Sequence, residues 1–424
     1  MLTSSKTSSL KVLVLGATVN EISIVEMIHN MGMYAIVTDY HTDWHDSPAK
    51  YVADEAWNIS WSDIPALKSK CIECGISAVM AGYSEFRVSC MIDLCEVLGL
   101  PCYINRQQLE VSRDKLKFKT LCRQFNIPVV PDYGPDDEIV FPVIIKPTDR
   151  AGGIGINVAY NAEEYTRYVD YALSLSPSKT IIVEDFINDG MKFDSAYYIE
   201  NGKSYLIETC DTVMLHRDKG SEKVQNAWTF PSKYEKEYIE RVDGAVRQML
   251  DSFNMPCGVA NISFFYRNGN FYIFETGFRL GGGHSFDYQR ASGGVDYLEK
   301  MLEYAVHGRC PETKIELPDD RGYALTYNVY VESSSSGEIE EIKGLDTISE
   351  QPGLITFVQM KQKGDLVEKG NAFMLMKCAW HSSTIQQIID NVNEVNKIVR
   401  ARVNDTDFAV CDQLGEKDIL DRFN

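Results

Sequence analysis

The sequence predicts an α/β protein in three parts: an N-terminal open parallel sheet over residues 1–112, a middle region over 113–310, and a β-rich region over 311–424. Three observations lead there. The N-terminal part alternates short apolar runs with segments of helical periodicity, as βαβ units do. A glycine-rich stretch, FPVIIKPTDRAGGIGI from Phe141 to Ile156, lies between two runs of strand character. From about Leu317 the chain turns strand-rich again. Its 424 residues also exceed what one hydrophobic core commonly organises, so two or three domains are expected.

Lys11 to Leu15 (KVLVL) reads as a buried parallel strand, and Ile22, Val25, Ile28 and Met31 then recur at helical spacing. Tyr34 to Thr38 is the next strand and ends at Asp39. A dinucleotide fold places a ribose-binding acid there, yet the turn GATVNE holds a single glycine and leaves that fingerprint incomplete. The alternation continues through a helix near Ile64 to Cys74, a strand at Ser77 to Ala81 and a helix from Glu85 to Leu98. Cys71 and Cys74 form a CxxC without a second pair or a nearby His, so helix packing explains them better than zinc or redox chemistry.

The segment Ser112 to Phe125 (SRDKLKFKTLCRQF) predicts a helix with Ser112 as its N-cap. Alone it reads as a solvated basic helix, but Lys115 near its start can reach the same anion as Lys146. In the glycine-rich stretch Lys146 ends a strand, and Gly152, Gly153 and Gly155 follow in the turn. Glycines let backbone N–H groups close on phosphate oxygens, and a lysine supplies a point charge. Lysine before glycines, with a second strand after, fits neither the Walker loop nor the dinucleotide turn. It suggests a hairpin folded over phosphates, with a simple chain turn as the plain alternative. NAEEYTRYVDYAL then reads as an amphipathic helix and Ile181 to Ile187 as a strand ending in carboxylates. Such an edge offers backbone groups to a purine, with Glu184 accepting from an exocyclic amine, or is a strand end with solvated acids.

Strands are expected at Phe193 to Glu200 and Lys203 to Thr209, joined by Asn201 and Gly202, and at Gly258 to Tyr266 and Asn270 to Glu275, joined by a second Asn-Gly turn. A long helix fits Lys233 to Phe253. Glu275 precedes Arg279, three consecutive glycines and His284. A strand-end carboxylate suits Mg²⁺ when phosphates supply further oxygens, and an arginine suits a phosphoryl group or a substrate carboxylate. An ion pair between Glu275 and Arg279 is the structural alternative, but so many glycines beside Glu, Arg and His exceed the needs of a turn.

The β-rich region contains YALTYNVYVE, GEIEEIKG, LITFVQM and FMLMKCAWHS, then a helix around Ser383 to Val399, and no catalytic constellation. Its strands offer an edge to a second copy, which makes a homodimer one expectation. The net charge of −19 argues against nucleic acid and anionic membrane surfaces, so local Lys and Arg must meet any polyanionic ligand. No apolar run approaches the ~20 residues of a membrane span. The opening MLTSSKTSSL lacks the apolar core of a secretory signal and reads as a loose polar arm, so a cytoplasmic protein is expected. Eleven cysteines, odd in number and unpatterned, read as reduced thiols.

The stretches SRDKLKFK, FPVIIKPTDRAGGIGI, IIVEDFI and IFETGFRLGGGH, in this order and spacing, resemble the ATP-grasp superfamily over roughly residues 11–400. The likeness is to carboxylate–amine ligases of the L-amino acid ligase type, which share architecture with the carbamoyl phosphate synthase large chain. It implies a two-part ATP-grasp core over 113–310 with a mobile lid at about 141–210, and ATP and Mg²⁺, or Mn²⁺ in its place, with small-molecule carboxylate and amine substrates. It also implies that Lys115 and Lys146 bind phosphates, that Gly152, Gly153 and Gly155 close over them, and that Glu184 with the backbone of Phe186 and Ile187 holds adenine. Glu275 would coordinate the metal, Arg279 would face the γ-phosphate or acyl phosphate as a catalytic residue beside Lys146, and the loop with Gly282 and His284 would border the substrate.

Three positions depart from the family pattern. Ser263, with Asn261 nearby, stands where a second metal-binding Glu is usual, Lys192 stands where a ribose-contacting acid is common, and the lid has Gly153 and Ile154 in place of a serine. The expected reaction is ATP-dependent carboxylate–amine ligation through an acyl phosphate on small metabolites, with an amino acid as the expected substrate, set against two alternatives: a bicarbonate-using carboxylase or carbamoyl-phosphate-like enzyme, and an ATP-binding regulatory protein with impaired catalysis. Bulky Trp228, Phe278, Phe286 and Tyr288 favour a larger organic substrate over bicarbonate.

Overall fold

The structure, a computed structural model, describes residues 10–150, 153–188, 190–216, 223–310, 315, 317–318 and 320–423. The polar arm and Gly152 lie outside the described residues.

Four parallel strands open the chain, in the order Glu55–Trp57, Tyr34–Thr38, Lys11–Leu15, Ala78–Met80. Val12 to Leu15 are fully buried, as a central parallel strand covered on both faces must be. Glu55–Trp57 is an addition to the predicted order, too short to show a period. Asp39 accepts from the backbone of His41 and the hydroxyl of Ser47, so its carboxylate folds its own loop.

The predicted helix from Ser112 is two helices, Arg106–Arg113 and Lys115–Gln124. Asp114, in extended conformation between them, is the N-cap and accepts from the N–H groups of Leu116 and Lys117. The Ser112 hydroxyl instead donates to Leu109 O at 2.8 Å. An ionised carboxylate is the stronger acceptor for a helix N-terminus, which is why the break falls at the acid.

A small module follows, in which Val143–Pro147 pairs with Asn157–Ala159 on one side and Ile181–Asp185 on the other, all antiparallel, under the helix Ala162–Leu175. Val143, Ile145, Ala159, Ala172 and Val183 form its own core. The next strands, Met191–Glu200 and Lys203–His216, belong to the large sheet, so the small module ends earlier than residue 210.

Among the described residues that large sheet has twelve strands and begins Asn270–Gly277, Cys257–Arg267, Met191–Glu200, Lys203–His216, Lys223–Phe230, Tyr323–Glu332. Both Asn-Gly turns hold the two left-handed residues that a tight hairpin requires: φ is 51° and 76° at Asn201 and Gly202, and 51° and 74° at Asn268 and Gly269. The stretch Lys233 to Phe253 is helical in pieces, Glu235–Tyr238 and Gly244–Asp251 joined by a π-turn over Ile239–Asp243. Lys223–Phe230 pairs with Tyr323–Glu332, and that strand with Ala372–Ser382, so the sheet runs straight through the expected boundary at residue 310. A second core lies beneath the C-terminal strands, around Leu325, Tyr327, Trp380 and the helix Ile385–Ile398. No helix among the described residues is long and apolar enough to cross a membrane.

Candidate functional site

Between the small module and the large sheet lies a cavity of about 510 Å³. Lys146 and Gly153 face it from the module, Phe186 and Ile187 from just after the module's last strand, and Lys115 from the helix that Asp114 caps. Its far wall is apolar, with Met214 beside Phe265 and Phe274, whose rings stack at 4.4 Å. The cavity therefore joins a greasy slot to a cationic end, the shape a nucleotide requires. Lys115 also donates to Arg150 O at 2.7 Å, and burial holds its ammonium below the ordinary value while Glu275 opposes the shift. Gly155 stands behind the turn. Its φ is +78° and a Cβ there would lie 2.8 Å from the Pro147 ring, so only glycine fits.

Glu184 does not line this cavity. It is 4% exposed, with one oxygen 2.6 Å from Lys146 Nζ and the other 2.5 Å from Lys119 Nζ. Burial pushes its carboxyl up, but the Lys146 and Lys119 ammoniums outweigh that and hold it below the ordinary value. As placed here, Glu184 orients both lysines. The backbone N–H of Phe186 likewise donates to Pro142 O at 3.2 Å.

A second, smaller cavity of about 180 Å³ adjoins the first. Its floor is one face of the large sheet, where Glu275, Ser263, Asp194 and Cys210 stand in a row across four strands. Two residues along, on the same face, the next row is Gly277, Asn261, Ala196 and Glu208. Arg279 and the Gly281 to Gly283 loop form a wall, and Asn261 Nδ2 holds that loop by donating to Arg279 O at 2.6 Å. Arg279 Nε is buried without a hydrogen-bond acceptor, and its nearest carboxylate is Glu85 at 3.9 Å, not Glu275. Burial pushes the Glu85 carboxyl up, with Arg279 opposing.

Three residues, Lys192, Gln225 and Glu275, line both cavities. Lys192 Nζ lies 3.0 Å from Asp194, which also accepts from the hydroxyls of Thr212 and Ser263. For a metal ion the junction offers one carboxylate, Glu275, and among the described residues no group of three or more His, Cys, Asp or Glu is gathered to hold an ion. Glu275 is exposed at the junction and can share an ion with phosphate oxygens, whereas the Ser263 hydroxyl is already spent on Asp194 and an ammonium stands beside it.

His284 is placed away from the smaller cavity. It is 2% exposed, its ring stacks on Tyr83 at 5.1 Å, and Nε2 donates to Asn20 Oδ1 at 3.1 Å. Burial, with the Lys377 ammonium adding to it, depresses its pKa to about 3. The folded chain thus refuses a proton that the unfolded chain takes below about pH 6.5, so stability falls with pH from there toward about 3. His284→Asn, which tolerates the left-handed φ of 57°, is expected to lose less thermal stability on acidification than the parent protein. Parallel melting curves against pH would contradict this. Lys377 itself, from the C-terminal strand Ala372–Ser382, donates to Gly282 O and ties that strand to the glycine loop.

Several site residues gave no sequence signal. Lys119 looked like a solvated helix residue, Glu85 a first-turn helix acid and Glu208 an ordinary strand residue. Arg422, on the helix Glu416–Phe423, reaches the larger cavity and has its Nη1 buried without a partner.

Residues 114–307 match the family model described as Carbamoyl-phosphate synthase L chain, ATP binding domain. The chain is 25% identical over 169 residues to the C-terminal section of the carbamoyl phosphate synthase large chain of Aquifex aeolicus, covering 39% of this chain and 28% of that relative. It is 22% identical over 349 residues to a pyruvate carboxylase subunit of Methanothermobacter thermautotrophicus, covering 76% and 69%. Among solved structures, L-amino acid ligase from Bacillus licheniformis superposes with a TM-score of 0.76 at 16% identity, over 94% of this chain and all of that one. The biotin carboxylase domain of 2-oxoglutarate carboxylase from Hydrogenobacter thermophilus, in complex with MgADP, ADP and bicarbonate, gives 0.75 at 17% identity, over 95% and 92%. At such identities the likeness concerns the fold. The chain has the ATP-grasp fold of these structures, and its residues 114–307 are similar to the carbamoyl-phosphate synthase ATP-binding domain.

Proposed function

We propose that this protein is an ATP-dependent ligase that activates a small carboxylate as an acyl phosphate and joins it to an amine. The junction carries the reading: Lys192, Gln225 and Glu275 face both cavities, so a nucleotide in one and a carboxylate in the other meet there. Phe265, Phe274 and Met214 would receive the purine, and Lys115 and Lys146 the phosphates. Glu275 would hold Mg²⁺, which when bound neutralises phosphate oxygens. Arg279, with its unpartnered Nε, would orient the substrate carboxylate for attack on the γ-phosphorus, and Lys192 would offset the charge on the transferred oxygens. The amine then attacks the acyl carbon, phosphate leaves, and no covalent enzyme nucleophile is needed.

Phosphate release from Mg·ATP, measured across amino acids, small carboxylates and bicarbonate with and without amines, tests the proposal. Release that needs both a carboxylate and an amine is expected. Release with bicarbonate alone would move the protein to the carboxylases, and tight ATP binding without release to the regulatory reading.

A further inference from the structure

The smaller cavity has a second charged end. Glu208 lies in its floor three strands from Glu275, roughly 14 Å at ~4.8 Å per strand, and is 5% exposed. Its hydrogen-bond partner there is neutral: Gln289 Nε2 donates from 3.3 Å. Among the described residues no cation lies within ion-pair distance of it: Lys192 is engaged with Asp194, and Arg321, which draws the Glu208 carboxyl down from farther off, is paired with Glu235. A buried carboxylate without a counter-charge is unfavourable, and burial accordingly pushes its pKa up to about 7. Trp228 and Phe230 line the same cavity, and Tyr288, packed against them, has its Oη buried without a partner. The cavity is thus bipolar, with a guanidinium short of an acceptor at one end and a carboxylate short of a cation at the other. An aromatic face lies alongside.

We propose that Glu208 recognises an ammonium group, so that the substrate of this cavity is an amine-bearing carboxylate. Its carboxylate meets Arg279 at the junction, and its ammonium meets Glu208 beside the Trp228 ring, an arrangement that suits a cation. The inference rests on the ligase reading and deepens it. Bicarbonate, which has no ammonium, would leave Glu208 unmatched.

The test is calorimetric binding to the full chain saturated with ADP and Mg²⁺, using two near-isosteric pairs: L-alanine against isobutyrate, and 5-aminopentanoate against hexanoate. In at least one pair the amine is expected to bind on the order of 30-fold tighter than its deaminated partner. That preference should fall to near unity in Glu208→Gln and shrink in Glu208→Asp, with thermal unfolding reporting that each variant is folded. Equal binding within both pairs by the parent protein, absent binding included, overturns the inference, as does a preference that survives Glu208→Gln. If the Gln variant does not fold, the Asp variant and the parent pairs decide the matter. Phosphate release measured in parallel separates the two claims. Amine preference without release sinks the ligase reading and leaves the subsite standing, and release without preference does the reverse.

Discussion

Lys146→Met is expected to cut phosphate release from ATP by about 100- to 1,000-fold, with nucleotide affinity falling alongside, while the fold survives. The reasoning turns on Glu184. When Lys146 goes, the Glu184 carboxylate keeps Lys119 at 2.5 Å, so no buried charge is stranded and the loss falls on the ligand. Glu184→Gln reverses the balance. Two ammoniums, on side chains 5% and 12% exposed, would then face a neutral amide, with Lys119 keeping Asp132 at 3.7 Å and Lys146 losing its ion pair, and leaving a buried charge unpaired is among the costliest changes to a core. The melting temperature should therefore drop far more in Glu184→Gln than in Lys146→Met. Titration with ATP and thermal unfolding of both variants check the pair, and an unchanged ATP affinity in Lys146→Met would remove this lysine from the phosphate site.

One Mn²⁺ per nucleotide-saturated chain is the second expectation, read from the free-ion signal in a metal titration. Glu275 is the carboxylate available at the junction, and the neighbouring position is held by a fixed ammonium in place of an ion. Ser263→Glu by itself should not add a second ion or raise turnover. It would set a carboxylate directly across the strand from Asp194, where like charges repel, with Lys192 still present. Combined with Lys192→Met, the same change should bring the count to two. Lys192→Met alone should slow phosphoryl transfer by about two orders of magnitude, since one cation is lost from the transferred group and nothing replaces it. A count of two ions on the unmodified chain would refute the assignment.

Local chemistry made much of the fold legible. The βαβ alternation follows from the different periods of strand and helix, and the Asn-Gly turns from a backbone that other residues rarely adopt. Lys115, Lys146, Glu275 and Arg279 stood out because each ends or begins an element beside glycines or apolar runs. The remainder of the site depends on pairings between distant segments. Lys119 and Glu184 are 65 residues apart, and nothing near either one shows that they will meet. His284 illustrates the converse: its place in a motif was visible, but the direction of its ring is set by a left-handed φ and by Tyr83 and Asn20 on the N-terminal sheet's loops. The Asp114 cap was missed because Ser112, two residues earlier, satisfies the same rule.

The unbroken sheet bears on modularity. Similarity to known proteins marks off residues 114–307 as one domain, but the strand Lys223–Phe230 inside that segment finds its second neighbour at Tyr323–Glu332, outside it. Expressed alone, the segment would leave a long row of backbone donors and acceptors open along Phe230's strand, which is the kind of edge that recruits strands from other molecules and leads to insoluble aggregates. The C-terminal strands therefore act as a permanent guard on residues 114–307. Recombination or truncation near residue 310 would separate two pieces of sequence that this architecture cannot separate in solution.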